Sequence, residues 1–331
     1  MYEDFYGLVE RPFELTANPR FLFLTSGHRE ALSNLTYGLT AHKGITLLLG
    51  EAGTGKTTLV RAAMGQQKGL NTRIAYLSNP TLTRNEFLEF LTDEFELPPE
   101  AAGSKVRFLN ALTASVTKRR LAGGFSALVV DEAQSLPHEL LEEVRLLSNL
   151  ELPSEKLVPI ILAGQPELAE RLNDPSLRQL KQRVALRCVL NPIDMKESAA
   201  YIAKRIRVAG GDSASIFTRE AVMAVYEYSH GIPRSISVLC DNALVNGFAL
   251  GRRPVDRDVV DEVARDFDLA STPAPMRIPT DVAPAPLSLV RPGEAPATAA
   301  APTPDAAEPP APVERDVFAS FSRKRKRFSF F

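Results

Sequence analysis

The chain has 331 residues, enough for a sizeable buried core and for more than one folded unit. Its 39 lysines and arginines balance 40 acidic residues, so no overall field selects nucleic acid or an anionic membrane. The two cysteines, Cys188 and Cys240, lack paired or metal-ligand spacing and read as reduced core residues rather than as a disulfide or zinc framework. The opening Met1-Tyr-Glu-Asp-Phe5 has neither the basic start nor the apolar stretch of a signal peptide. No apolar run reaches the ~18 residues of a membrane-spanning helix, so the expectation is a cytoplasmic protein, at most peripheral to a membrane.

Taken in chain order, apolar runs of strand length fall at 45–49, 73–77, 127–130, 158–163 and 184–190. Helix-length amphipathic stretches lie between them. Thr83 with Glu86 three residues on forms a capping box, and Ser104 and Ser135 are candidate caps for the next two helices. Strands apolar at nearly every position, alternating with helices, predict an α/β parallel sheet sandwiched by helices. After about residue 191 the pattern becomes helical only, with three- and four-residue apolar spacing over 201–206, 221–228, 236–248 and 259–267. From 271 the chain turns rich in proline and alanine, a composition that cannot offset its ordering entropy. The expected organisation is an α/β core over 1–191, a small all-helical lid over 192–270, a disordered linker over 271–317 and a basic-aromatic tail over 318–331.

The segment Gly50-Glu51-Ala52-Gly53-Thr54-Gly55-Lys56-Thr57-Thr58 fits the phosphate-loop pattern and sits between an apolar strand and a potential helix, the context that motif requires. Its glycines let main-chain N–H groups wrap phosphate oxygens, and the helix N-terminus adds a favourable dipole. Lys56 is expected at the β and γ phosphates of ATP and Thr57 on Mg2+, so the fold class is that of a P-loop NTPase. Asp131 and Glu132 close the apolar strand at 127–130, at the end where open parallel sheets bind ligands. Asp131 is then a second magnesium residue and Glu132 the carboxylate that polarises water; on their own the pair would also read as turn residues capping a helix. Gln165, closing another strand, is a candidate for orienting the water, or a polar residue opening a turn before Pro166. Arg183 and Arg234 could each bond a γ phosphate, and by composition alone each also reads as a solvated surface charge.

Further motifs extend over residues 1 to about 268: the opening Met1-Tyr-Glu-Asp-Phe-Tyr-Gly-Leu8 with Arg11-Pro-Phe13 and Asn18-Pro-Arg-Phe-Leu-Phe23, then His28-Arg-Glu-Ala-Leu32, Asp131-Glu-Ala-Gln134, Leu146-Leu-Ser-Asn149, Gly164-Gln-Pro-Glu-Leu168 and Gly231-Ile-Pro-Arg234. In these the sequence resembles the ExeA-type ATPases, also called general secretion pathway protein A, with relatives linked to pilus assembly and to exosortase and polysaccharide clusters. The resemblance implies an AAA+ ATPase in which Gln165 takes the sensor 1 position, Arg183 is an arginine finger acting on a neighbouring subunit, and Arg234 is sensor 2. It also implies a homo-oligomer in the ATP state and an envelope secretion, pilus or polysaccharide-export system as partner, and it runs His28 near the adenine. The secretion members continue into a membrane span and a peptidoglycan-binding domain, which the proline-rich tail does not match.

The tail's Arg323-Lys-Arg-Lys-Arg327, flanked by Phe318, Phe321, Phe328, Phe330 and Phe331, admits two readings: peripheral contact with an anionic membrane, or a solvated end. For the whole chain the alternative to an assembly ATPase is a DNA-binding, transposition-type target-selection ATPase. That alternative needs a basic stripe on the folded domains, whereas the dense basic run here is confined to the tail. A third reading, a nucleotide switch with negligible turnover, has no use for Glu132. The histidines His28, His42, His138 and His230 have no metal-site spacing.

Overall fold

The computed structural model describes residues 1–15, 19–67, 69, 71–78 and 80–269, so the expected linker and tail lie outside the described residues. First come α1 (Glu3–Tyr6) and α2 (Ser26–Thr40), then β1 (Ile45–Gly50), α3 (Lys56–Gln66), β2 (Thr72–Leu77), α4 (Arg84–Glu94), α5 (Lys105–Leu121) and β3 (Phe125–Val130). After α6 (His138–Leu147), a small antiparallel hairpin of β4 (Glu151–Leu152) and β5 (Glu155–Lys156) leads to β6 (Ile160–Gly164), α7 (Pro166–Arg171), α8 (Arg178–Lys181) and β7 (Val184–Leu190). The helices α9 (Met195–Val208), α10 (Ser213–Ile216), α11 (Arg219–Ser229), α12 (Pro233–Ala249) and α13 (Arg257–Asp266) complete the described chain.

All five expected strands form one parallel sheet in the order β2-β3-β6-β1-β7. The three central strands are buried along nearly their whole length, while β2 and β7 at the edges alternate, which is why their apolar runs are interrupted by Arg73 and Arg187. The period of two sends Leu47, Leu49, Leu128, Val130, Ile160 and Leu162 into one core with α4, α5 and α6. It sends Leu48, Ala127, Val129, Ile161 and Ala163 into the other, against Leu35 and Leu39 of α2 and Leu59 and Val60 of α3. The sheet is therefore sandwiched by helices, as the alternation predicts.

The capping expectations divide. Thr83 and Glu86 form the complete reciprocal box at the start of α4. Ser104 stands at the N-cap of α5 without a side-chain bond to it. Ser135 caps nothing: it closes a single 3-10 turn, Ala133–Ser135, and α6 starts only after Pro137, whose fixed φ already suits a helix entry.

The helices after β7 build a separate apolar core around Ile202, Ile206, Val225, Leu239, Leu244 and Val260. Tyr2, Tyr6, Leu8, Phe13 and Phe21 belong to that cluster and not to the sheet, although the alternation alone would group them with the core domain. Their polar ends find partners on the same helices: the Tyr2 hydroxyl donates to Asp241 at 2.5 Å and the Tyr6 hydroxyl to the Arg252 carbonyl at 3.2 Å. Gly247 makes room for Tyr6, since a Cβ there would lie 2.4 Å from the tyrosine oxygen. Arg205 of α9 completes the attachment, donating to the carbonyls of Pro12 and Glu14 and lying over the rings of Phe21, Tyr201 and Phe13.

Candidate functional site

The sheet register brings the expected residues to one edge. Leu49 pairs with Gly164 and Gly50 with Leu190, while Val130 pairs with Leu162. The Gly50–Thr58 loop, Asp131 with Glu132, and Gln165 thus emerge side by side at the carboxyl ends of β1, β3 and β6, where ligands bind in open parallel sheets. Gly53 and Gly55 have φ of 82° and 100°, a region side chains disfavour, which lets the loop curl back before α3 begins at Lys56. Gly50 is confined sterically, because a Cβ would sit 2.8 Å from the Leu190 carbonyl oxygen.

Asp131 is 3% exposed and anchors the site. Its Oδ2 accepts from the Thr57 hydroxyl at 2.7 Å and from the Tyr76 hydroxyl at 3.1 Å, and its Oδ1 accepts the Glu132 N–H at 3.0 Å. Glu132 takes φ 51°, left-handed for a side-chain-bearing residue, and its Oε2 accepts from Gln134 Nε2 at 2.6 Å and Gln165 Nε2 at 3.4 Å. Lys56 lies buried over the loop, its Nζ donating to the carbonyls of Gly50 at 2.8 Å and Glu51 at 3.0 Å. Burial pushes the Lys56 amine below its ordinary value, against the opposing pull of Glu132 and Asp131. Burial likewise raises the Tyr76 phenol, and the charge of Asp131 adds to the rise.

His28 on α2 is 7% exposed and reaches the loop from below. Its Nε2 lies 3.0 Å from the Thr54 carbonyl oxygen, which can only accept, so Nε2 carries the proton. Nδ1 then accepts the Thr25 hydroxyl at 2.7 Å, and burial holds the imidazole below its ordinary value. The ring therefore braces the phosphate loop.

Comparison with known proteins gives the family. The AAA domain family matches residues 39–172. General secretion pathway protein A of Aeromonas hydrophila is 43% identical over 256 residues, which is 77% of this chain and 46% of that protein. Across these residues the chain belongs to the AAA+ family, of the general secretion pathway protein A type. It spans less than half the length of that relative. A more distant match, an uncharacterized HTH-type transcriptional regulator of Methanocaldococcus jannaschii, is 27% identical over 119 residues, 35% of this chain and 29% of that one. Among solved structures, the Aeropyrum pernix ORC2 protein superposes with a TM-score of 0.59 at 18% identity, covering 80% of this chain and 73% of that one. Cdc6p of Pyrobaculum aerophilum gives 0.58 at 18%, covering 80% of this chain and 75% of its own. At those identities they show the fold alone.

Within this AAA+ chain the two candidate arginines fall at opposite ends of the sheet. Arg234, in the first turn of α12, lies against the phosphate loop: its N–H donates to the Gly53 carbonyl at 3.3 Å, and a Cβ on Gly53 would meet the Arg234 Cβ at 2.8 Å. Among the described residues its guanidinium has no hydrogen bond or ion pair. Arg183 precedes β7, and its carbonyl accepts from the Ile45 N–H, at the start of β1. Five strand rises separate Ile45 from Gly50, or ~16 Å, more than an arginine side chain spans. Arg183 lies instead near Glu151, whose carboxyl is held below its ordinary range chiefly by Lys156, with Arg183 adding to the effect.

Tyr76 and Gln134 have no role in the sequence reading, and His28, which the resemblance runs near the adenine, bonds the Thr54 carbonyl of the phosphate loop. Tyr76 carries a signal only in hindsight, as a polar aromatic in an otherwise apolar strand. Gln134 belongs to the quoted Asp131-Glu-Ala-Gln134 motif, yet its contact depends on β6 lying beside β3. The bracing contact of His28 is invisible in sequence because 26 residues separate it from Thr54.

Proposed function

We propose that the chain binds ATP with Mg2+ at the Gly50–Thr58 loop and hydrolyses it, and that turnover drives assembly or activation of a cell-envelope secretion system. The observation that carries the reading is the contact of Thr57 Oγ1 with Asp131 Oδ2 at 2.7 Å, with Glu132 next along the chain. Two hard oxygen donors from the loop and the neighbouring strand suit a divalent cation that keeps its remaining ligands for water and phosphate. When bound, the cation would be held by Thr57 and Asp131 and would offset the negative charge of the phosphates.

In this reading the N–H groups of Gly53, Thr54, Gly55, Lys56, Thr57 and Thr58 cradle phosphate oxygens, with Glu51 and Ala52 shaping the turn. Lys56 leaves its loop carbonyls to meet the β and γ phosphates, and the exchange of neutral partners for anionic ones favours its charged form. Glu132 accepts the proton of the attacking water, and Gln165 helps to orient that water. Arg234 reaches the γ phosphate from the helical domain of the same chain. Arg183 does so from a neighbouring copy, which makes the active species an oligomer packed head to tail. Membrane or DNA contact through the basic tail stays outside this reading.

The test is steady-state ATP hydrolysis by the purified protein beside Glu132→Gln, with and without long duplex DNA at low and high salt. Turnover that the variant abolishes and DNA leaves unchanged supports the envelope-assembly reading. Strong, salt-sensitive stimulation by DNA would replace it with a DNA-directed ATPase, and equal turnover in the variant would remove Glu132 from the mechanism.

A further inference from the structure

Gln134 bridges two groups that the proposed hydrolysis places at the γ phosphate. Its Nε2 donates to Glu132 Oε2 at 2.6 Å, and its Oε1 accepts the main-chain N–H of Gln165 at 3.1 Å. Both partners fix the amide's orientation: turned over, its oxygen would face a carboxylate and its NH2 an N–H. The main chain beneath is held as well, because the Arg171 guanidinium of α7 donates to the carbonyls of Gln134 and Leu136. Gly164 opens the space for this bridge, since a Cβ there would lie 2.9 Å from Gln134 Oε1.

The consequence falls on Glu132. Its left-handed backbone swings the side chain out of the strand line, and a free carboxylate on such a pivot would sample several rotamers. With Oε2 taken by the amides of Gln134 and Gln165, Oε1 has no partner among the described residues. We propose that Gln134 is a positioning residue, fixing one oxygen of Glu132 so that the other faces the attacking water and tying that carboxylate to Gln165 at the end of β6. This rests on Glu132 being the group that activates water.

The experiment measures kcat across a wide pH range, with equilibrium binding of a fluorescent ATP analogue, for the wild type, Gln134→Met, Gln134→Glu and Glu132→Gln. Methionine matches the length of glutamine without donor or acceptor, so kcat should fall about ten-fold or more, the scale of one hydrogen bond to a charged group. Nucleotide Kd should not change, because the Gln134 amide bonds Glu132 and Gln165 rather than the loop, and retained binding also reports that the variants fold. In Gln134→Glu a second carboxylate would face Glu132 at the 2.6 Å contact in place of the donating amide, so kcat should fall at least as far as in Gln134→Met, again with nucleotide Kd unchanged. Wild-type kcat in Gln134→Met or in Gln134→Glu, while Glu132→Gln is inactive, overturns the positioning role and leaves the hydrolysis reading intact. Full turnover in Glu132→Gln overturns both.

Discussion

Replacing Arg205 with alanine should release Tyr2, Tyr6, Leu8, Phe13 and Phe21 from the helical domain. Its guanidinium donates to Pro12 O at 2.5 Å, to the Tyr201 hydroxyl at 2.8 Å and to Glu14 O at 3.0 Å, with Phe21, Tyr201 and Phe13 stacked around it. Alanine would strand two main-chain carbonyls at about 1–3 kcal/mol each and forfeit cation–π contacts of about 0.5–2 kcal/mol. Some carbonyls would find water as the segment lifts, so the expected loss is roughly 3–5 kcal/mol, a large part of an ordinary domain's stability. Arg205→Lys keeps the charge but offers no planar fork, so its loss should be intermediate. Urea denaturation followed by circular dichroism gives the stability difference, and brief trypsin digestion reports release through cleavage after Arg20, since the Arg11–Pro12 bond resists trypsin. A loss below about 1 kcal/mol in Arg205→Ala, with no added cleavage after Arg20, would refute the clamp.

Removing the reciprocal cap by Thr83→Ala should cost about 1 kcal/mol in a denaturant melt, and Thr83→Ser should restore most of it; equal midpoints for all three proteins would dismiss the cap as a stabilising element. For His28, burial puts the folded value below the ordinary 6.5, so the unfolded chain takes up the proton first and stability falls as pH drops through that value. His28→Gln should therefore be less stable than the wild type at about pH 7.5, with the gap narrowing by about pH 5.5, and a pH-independent gap would contradict the buried, neutral ring. Arg183→Ala should bind ATP as the wild type does and lose turnover, and mixing it with Glu132→Gln should recover part of the rate. Undiminished turnover in Arg183→Ala alone would end the case for action between subunits.

The sheet was legible because its central strands are buried on both faces and so read as unbroken apolar runs, with β7 found at its observed limits of 184–190. The phosphate loop and Asp131 were legible because that chemistry needs fixed residue types at fixed spacing along the chain. What escaped lies in contacts between segments distant in sequence. The β4–β5 hairpin is too short for any periodicity to register, and Ser135 misled because a single turn and Pro137 stand between it and α6. The placement of Tyr2, Tyr6 and Phe13 was hidden for a different reason. Their motif marks a resemblance, but nothing in its spacing states that the apolar partners come from helices some 200 residues later, as the 239-residue separation of Tyr2 from Asp241 makes plain.

The loop carbonyls connect these parts. Thr54 O is held by His28, and Gly53 O accepts the N–H of Arg234 on α12, so two consecutive loop residues are fixed from outside the sheet. The hinge between sheet and helices is equally tight: Ile193 N–H donates to Gly231 O at 2.9 Å, and a Cβ on Gly231 would stand 2.0 Å from the Ile193 oxygen. A loop that rearranges around phosphate must therefore move α12, and with it the cluster that α12 shares with Tyr2, Tyr6 and Phe13. Arg183 lies at the other end of the strands and cannot take part in its own chain's loop. On its proposed role, each site takes one arginine from its own helical domain and one from the next copy. A two-fold pairing would need one patch to carry both Arg183 and the loop, which lie at opposite ends of β1, whereas head-to-tail packing sets the Arg183 of one copy against the loop of the next and repeats. The position of a phosphate group would then set both the attitude of the helical domain and the fit to the neighbour, which couples turnover to assembly without any further device.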